Sequence, residues 1–76
     1  MLTLKTFTPR HQEIMALLAD GKSNTEIGKD LAISVHTVKA YVQQIADRLE
    51  DGGLGRLNRK AIARWYLDAK GGSNAR

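Results

Sequence analysis

The side chains with the clearest capacity for chemistry lie together on one face of a helix predicted in the middle of the chain. Lys39 can donate to a guanine edge, Gln43 can pair with adenine, and Ala40 can contact the methyl group of thymine. At about 100° per residue, the same face includes Val35 and His36, and it lies toward the N-terminal end of the helix. The face is thus small, polar or basic, and it lies at the end that a helix entering the major groove presents to base edges. The alternative is an ordinary exposed helix face.

Other chemistries lack the residues that they need. The chain has no cysteine, which excludes disulfides and thiolate metal sites, and its two histidines, His11 and His36, lack the spacing of metal ligands. The glycine-rich stretch at 52–55 is not a phosphate loop, because no strand precedes it and no G-K-[ST] follows it. No combination of serine, histidine and carboxylate suggests a triad. We therefore predict no enzyme activity, no catalytic residue, no metal and no cofactor.

The length and hydropathy of the chain predict one small cytoplasmic domain. A chain of 76 residues is most simply one domain. No apolar run approaches the roughly 20 residues of a membrane span. The N-terminal sequence MLTLKTF lacks the apolar core and the cleavage site of a signal peptide. No membrane partner is expected.

The charge distribution favours an anionic partner but does not prove one. The net charge is +4 and the isoelectric point is near 9.8. Three acidic residues close together are followed by a segment in which every charged side chain is basic. The acidic cluster comprises Asp47, Glu50 and Asp51, and the basic residues are Arg56, Arg59, Lys60 and Arg64. The basic residues form either a second patch for the phosphate backbone or a solvated face.

The first helix is predicted from residue 10 to residue 20. Thr8 supplies a hydroxyl N-cap, Pro9 suits the first helical position, and Gly21 suits the position beyond the end. Before this helix, residues 1–7 are expected to form an extended arm whose two leucines can cover the edge of the core.

The second and third helices are predicted to follow each other without slack. Ser23 and Glu26 form the S-x-x-E capping box that starts the second helix. Residues 32 and 33 make the turn, and Ser34 caps the third helix, which runs from about residue 35 to 50. Its inward face comprises Val38, Tyr41, Val42, Ile45 and Leu49. This arrangement predicts a helix-turn-helix, whose second helix can lie in the major groove of DNA.

The remaining chain is predicted to add a loop and a fourth helix. Residues 51–55 are a flexible loop by composition, and the fourth helix spans about 58–69. One of its faces has apolar residues at positions i, i+3, i+4 and i+7, namely Ile62, Trp65, Tyr66 and Ala69. Residues 70–76 are expected to be a disordered tail. The predicted fold class is all-α, a four-helix bundle over residues 8–69.

In this order, the motifs resemble those of the LuxR-type (GerE-like) helix-turn-helix family. The matching residues are Thr8-Pro9-Arg10, Glu13-Ile14, Gly21, Ser23-Asn24, Glu26-Ile27, Leu31, Ile33-Ser34, Thr37-Val38-Lys39, Ile45 and Leu49. The match is continuous from about Phe7 to Leu49 and returns more weakly from Asn58 to Tyr66. No sensor or receiver domain is visible in the sequence, so the chain is similar to the stand-alone members of the family.

The resemblance implies a regulator of transcription that binds an inverted repeat in double-stranded DNA as a homodimer. The expected base contacts are Val35, His36, Lys39, Ala40 and Gln43. The expected phosphate contacts are Lys22, Asn24, Ser34 and Thr37. Free amides and the helix dipole at the start of the second helix also favour a phosphate there. The expected dimer contacts are Ile62, Trp65, Tyr66 and Ala69, although Trp65 is also a candidate core residue.

Several positions depart from the family pattern. His11 replaces the glutamate that would complete a capping box, and Gly28 replaces alanine. Ala32 replaces a frequent glycine, at a cost of about 1–2 kcal/mol if the position needs a positive φ. Tyr41 stands where histidine is usual. Asp47 stands where a basic residue is usual, on a side of the helix that leans toward DNA, and the loop after the third helix is longer than usual.

Two alternatives remain open. The scaffold could be a small protein-binding module that docks on another regulator or on RNA polymerase through the acidic cluster. Asp47 and the long loop favour this alternative, which predicts little salt-sensitive DNA binding. A fragment resembling sigma-factor region four would share the helix-turn-helix plan, although the Thr37-Val38-Lys39 signature argues against it.

Overall fold

The computed structural model describes residues 2–71, and this part of the chain folds into four α-helices without a β-strand. They are α1 (Pro9–Ala19), α2 (Asn24–Leu31), α3 (Val35–Leu49) and α4 (Arg59–Ala69). The all-α, four-helix prediction is confirmed, and each helix boundary lies within about one residue of its predicted position. The predicted disordered tail lies outside the described residues from residue 72 onward.

Capping side chains explain where the helices begin. Each N-cap oxygen accepts a hydrogen bond from the backbone N–H three residues later. The four N-caps are Thr8 (3.2 Å), Ser23 (3.1 Å), Ser34 (3.0 Å) and Asn58 (2.8 Å). At α2, Glu26 also accepts from the backbone N–H of Ser23 at 2.8 Å, which completes the predicted capping box. Gly21 adopts a φ of +82° and ends α1 as predicted.

All four helices contribute to one hydrophobic core. The largest fully buried side chains are Ile14, Met15, Ile27, Val38, Ile45, Leu49 and Ile62. On α3, the predicted inward face is confirmed, since three of its members are fully buried and the other two, Tyr41 and Val42, are half-buried against the core. One long face of α3 is therefore held by the core, and the opposite face is left to solvent.

The N-terminal segment is part of the core, and the prediction of an extended arm is wrong. It forms a 3₁₀ turn at Leu4–Thr6, and the side chain of Phe7 is only 3% exposed. Gln12 ties this turn down by donating to the carbonyls of Leu4 and Phe7 at 2.9 and 3.0 Å. The ring of Trp65 packs edge-on against Phe7, with 5.5 Å between centroids. The two leucines of the segment pack against the core, as expected.

The segment after α3 forms a turn rather than an irregular loop, and its flexibility stays a prediction. The chain widens into a π-helical turn at Glu50–Leu54. Gly53 and Gly55 have φ values of +92° and +78°, a region that favours glycine, and these values reverse the direction of the chain. The side chain of Leu2 occupies the space where a Cβ on Gly52 would lie. Packing and glycine geometry therefore shape this segment.

The turn between α2 and α3 has a closely constrained backbone. Ala32 adopts left-handed φ and ψ of 58° and 43°, so the strain considered from the sequence is present. Gly28 allows a close approach, because a Cβ there would lie 2.7 Å from the carbonyl oxygen of Ile33. The backbone of the turn itself therefore lies against this glycine. The backbone N–H of Ile33 donates to the carbonyl of Gly28 at 2.9 Å.

Replacing Ala32 with glycine is expected to raise the free energy of unfolding by about 0.5–1 kcal/mol. The change relieves about 1–2 kcal/mol of left-handed strain and gives the unfolded chain about 0.4–1 kcal/mol of extra conformational freedom. Ala40→Gly, at an exposed position inside α3, is the matched control and should lower stability by about 1 kcal/mol. Urea unfolding followed by the fluorescence of Trp65 measures both. A less stable Ala32→Gly protein would contradict the assignment of strain.

Candidate nucleic-acid interface

The exposed face of α3 carries all the residues predicted to contact bases. The five side chains are solvent-exposed on the face opposite the core, namely Val35, His36, Lys39, Ala40 and Gln43. Val35 is 36% exposed, which is unusual for an apolar side chain of this domain. Small, apolar, amide and cationic groups therefore lie side by side on a helix face free to enter a groove. These chemistries match the donors, acceptors and methyl groups that base pairs present in the major groove.

Ser34 and Thr37 form a local cap at the start of α3. Ser34 Oγ accepts from the backbone N–H of Thr37 at 3.0 Å, and the two hydroxyl oxygens lie 2.9 Å apart. These contacts are local to the first turn of α3. The two hydroxyls have two hydrogens between them, and their mutual bond uses one. The second remains able to donate to an anion.

An open groove lies between the exposed face of α3, the start of α2 and the start of α4. The end of α1 also contributes to its lining, and its polar groups include those of Lys22, Asn24, Lys39, Arg59 and Lys60. The first-turn amides of α2 carry the positive end of the helix dipole. The groove thus combines cations with a helix N-terminus, which is a surface suited to phosphate groups. Lys22 is also 3.5 Å from Asp30, in a partly exposed ion pair.

Arg59 fastens α4 to the start of α2, a contact that the sequence analysis missed. Its guanidinium donates to Asn24 Oδ1 at 2.7 Å and to the backbone carbonyl of Lys22 at 2.8 Å. Asn24 is therefore oriented by a residue 35 positions later in the chain. A signal was present in the sequence, because a cation in the first turn of a helix is unfavourable next to the helix dipole unless a partner compensates.

The acidic cluster is partly compensated by a neighbouring arginine. Arg56 donates to Asp47 Oδ1 at 2.6 Å and to Glu50 Oε1 at 2.9 Å. Gln43 donates to the same Asp47 oxygen at 3.2 Å. The bond from Arg56, with a smaller contribution from Gln43, lowers the pKa of Asp47, and the two carboxylates raise the pKa of Arg56. Asp47 therefore remains anionic and paired at neutral pH.

The structure places two of the predicted dimer contacts inside the protomer. Ile62 and Tyr66 are 1% and 8% exposed, because the apolar face of α4 packs against the core of its own chain. This corrects the expectation that they form a contact surface for a second copy. Trp65 is half-buried and packs on Phe7, so its interpretation as a core residue fits the structure. Ala69 is exposed.

Neither histidine belongs to a metal site in the described residues. His36 is exposed on α3, and His11 is buried, with Nδ1 2.7 Å from Thr8 Oγ1 and Nε2 2.8 Å from Gln44 Oε1. Within residues 2–71, no three potential ligands among histidine, aspartate and glutamate lie close enough to hold a metal ion. No helix in this part of the chain has the length and apolar character needed to cross a membrane.

Comparison with known proteins identifies the family. Residues 5–63 match the family GerE, the bacterial regulatory proteins of the luxR family. This chain belongs to the luxR family. The resemblance drawn from its motifs is confirmed, and the four-helix structure with an exposed α3 face agrees with it. No solved structure is a significant match to the chain.

Curated relatives match over 46 to 60 residues of this chain. YhjB of Escherichia coli (strain K12) is 49% identical over 47 residues, which are 62% of this chain and 24% of that protein. The transcriptional regulatory protein LiaR of Bacillus subtilis (strain 168) is 41% identical over 46 residues, 60% of this chain and 22% of that protein. The tetrathionate response regulatory protein TtrR of Salmonella typhimurium (strain LT2) is 30% identical over 60 residues, which are 79% of this chain and 29% of that protein. The chain spans less than a third of the length of each of these relatives.

The capping box at the start of α2 predicts a measurable pH dependence of stability. The backbone N–H of Ser23 donates to the carboxylate of Glu26 and lowers its pKa, with help from two nearby lysines. A lowered folded-state pKa gives stability that is present above the unfolded value, about 4.3, and is lost as the pH falls through the folded value. The urea midpoint should therefore fall between about pH 5 and pH 3.

Glu26→Gln separates this carboxylate from the others that titrate in the same range. The amide oxygen can still accept from Ser23 but carries no titrating charge, so the fall in the urea midpoint should be smaller in the variant. Glu13→Gln, at another exposed glutamate, which is paired with Arg10 within α1, is the control. An identical fall in the wild type and in Glu26→Gln would contradict the assignment.

Proposed function

We propose that this luxR-family chain is a sequence-specific DNA-binding module that regulates transcription, with α3 lying in the major groove. The observation that carries the proposal is the division of α3 between two surfaces. Val38, Ile45 and Leu49 are completely buried, whereas the opposite face exposes the five candidate base contacts. A helix held in this way can enter a groove without losing any of its contacts with the core.

The side chains on the exposed face have the chemistry needed to choose between base pairs. Lys39 donates to guanine, Gln43 pairs with adenine, and Ala40 contacts the methyl group of thymine. Val35 and His36 lie at the end of α3 nearest the groove that the three helices share. Base-edge contacts of this kind supply sequence choice rather than bulk affinity.

Bulk affinity is supplied by the groove beside α3. Its cations and the N-terminus of α2 bind phosphates, and release of counterions from those phosphates makes the binding salt-dependent. Lys22 and Asn24 keep the phosphate-contacting role that we predicted for them, with Arg59 as an additional member. Ser34 and Thr37 donate the hydroxyl hydrogen that their mutual bond leaves free.

We further propose that two copies bind an inverted repeat, with half-site centres about one helical turn apart. Ile62 and Tyr66 are used within each protomer, so a contact between copies involves the exposed flank of α4. Leu67 is 46% exposed there and Ala69 is also exposed, which gives this flank an apolar component.

The structure gives little support to the alternative of a protein-docking acidic cluster. That alternative needs free carboxylates at 47, 50 and 51, for recognition of another regulator or of RNA polymerase. Arg56 already occupies Asp47 and Glu50 in the free protein. Of the groove's cations only Lys22 is in an ion pair with a carboxylate of residues 2–71, so the groove stays cationic and favours DNA over an acid-seeking partner.

Lys39→Ala is expected to weaken binding to the preferred site by at least 5-fold to 10-fold, since a bidentate contact to guanine is worth about 1–3 kcal/mol. Lys29→Ala is the matched control, because Lys29 is exposed on α2 but does not line the groove. It removes the same charge and should change site affinity by less than about twofold. Fluorescence anisotropy with a labelled duplex measures both, and circular dichroism checks folding. Equal losses in the two variants would remove Lys39 from the list of base contacts.

Selection from a pool of random duplexes tests the function as a whole. The expected result is enrichment of an inverted repeat whose affinity falls steeply as salt is raised. Failure to enrich any sequence, together with weak and salt-insensitive binding, would contradict the proposal and would favour the protein-docking alternative.

A further inference from the structure

The segment between α3 and α4 returns an arginine to the exposed side of α3. After α3, the π-helical turn at Glu50–Leu54 and the positive φ values of Gly53 and Gly55 reverse the chain. Arg56 then reaches back nine positions and donates to Asp47 Oδ1 at 2.6 Å. The loop after α3, which is longer than is usual in the family, thus brings Arg56 to Asp47. Asp47 stands where the family usually has a basic residue.

A continuous chain of polar contacts connects this arginine to a candidate base-reading residue. Gln43 Nε2 donates to Asp47 Oδ1 at 3.2 Å, one helical turn away on α3. Arg56 donates to that same oxygen and to Glu50 Oε1 at 2.9 Å, so two carboxylates hold the guanidinium. The four side chains are exposed, and this network is on the side of α3 that carries Gln43 rather than in the core.

We propose that Asp47 and Arg56 are positioning residues that fix Gln43 for the recognition of adenine. We call the pair the Asp47–Arg56 latch. The inference rests on the proposed function, because it assigns a specificity role within the same DNA-contacting face. It adds two residues, one of them from outside the helix-turn-helix, to those that determine which base pair is chosen.

The hydrogen-bonding capacity of the glutamine supports this assignment. A glutamine amide has two N–H donors and one carbonyl acceptor. The contact with Asp47 uses one donor, which leaves one donor and the acceptor. Those are the two groups that pair with N7 and the N6 amino group of adenine. A glutamine on an exposed helix otherwise samples many rotamers and loses that freedom on binding, so a side chain already held in place binds with a smaller entropic loss.

The charge of the latch explains why Arg56 is needed as well as Asp47. An unpaired carboxylate on this side of α3 would repel the phosphate backbone, whereas a carboxylate that is paired with a guanidinium exerts a much weaker repulsion. Glu50 gives Arg56 a second anchor, and the lowered pKa of Asp47 agrees with a pair that stays ionised. Asp47 can therefore orient Gln43 without excluding DNA.

The test compares base preferences in the wild type with those in Gln43→Ala, Arg56→Gln and Asp47→Ala. Random-pool selection first locates the position whose preference depends on Gln43, as the position at which Gln43→Ala loses discrimination. Arg56→Gln and Asp47→Ala should then lose 3-fold to 10-fold of the preference for adenine there. They should leave the preferences attributed to Lys39 unchanged. In the Gln43→Ala background, neither change should reduce discrimination further.

Arg64→Gln is the matched control, since Arg64 is exposed on α4 and lies outside the latch. It removes the same charge and should leave the preference at the Gln43 position intact. If Arg56→Gln instead lowers the affinity for all sequences equally and reduces the salt slope by about one unit, Arg56 is a phosphate contact and the latch is overturned. Unchanged preferences in both latch variants would also overturn it.

A measurement on the free protein separates failure of the latch from failure of the proposed function. The side-chain ¹⁵NH₂ group of Gln43 should give a rigid signal in the wild type and a mobile one in Asp47→Ala, which removes the acceptor. A mobile Gln43 in the wild type would overturn the latch while leaving DNA binding untouched. A rigid Gln43 in a protein that selects no duplex would overturn the proposed function, and with it the role in base recognition, but not the geometry of the contact.

Discussion

The constrained turn between α2 and α3 is the feature on which the rest of the structure depends. The carbonyl of Ile33 lies so close to Gly28 that a side chain there would clash, and Ala32 accepts left-handed strain to make the turn. The close approach at Gly28 and the left-handed conformation of Ala32 together constrain the direction of α3 relative to α2. As a result, the N-terminus of α2 and the side chain of Lys39 line the same groove. A looser turn would separate the groups that we propose to bind phosphates from those that we propose to contact bases.

The structure also distributes charge so that the interface is cationic without being crowded by free acids. Glu26 is used at the cap of α2, and Asp30 pairs with Lys22. Arg56 holds the two carboxylates nearest the end of α3. The cations of the groove, by contrast, come from Lys22 before α2, from α3 and from the first turn of α4, and they converge on one open surface. Net charge alone could not distinguish a phosphate-binding surface from a solvated one, whereas this arrangement does favour the former.

Local interactions account for what could be predicted from the sequence. Thr8, Ser23 and Ser34 accept hydrogen bonds from amides three residues away, so the start of each of these helices depends on a few neighbouring residues. The exposed face of α3 follows from helical periodicity in the same way. The expectation of an extended arm failed because the burial of Phe7 depends on Trp65, which is remote in sequence. The contact of Arg59 with Asn24 was missed for the same reason, since it joins two helices across 35 positions.

The most direct test of the account is an NMR titration of the ¹⁵N-labelled protein with a duplex selected from a random pool. The account predicts that the largest shifts occur at the start of α2, along residues 35–43 of α3 and at the first turn of α4, because these three regions line one surface. The amides of residues 50–54 and those on the buried face of α1 should shift little. Shifts concentrated at residues 50–54, with α3 unaffected, would contradict the claim that the exposed face of α3 is the DNA-binding surface.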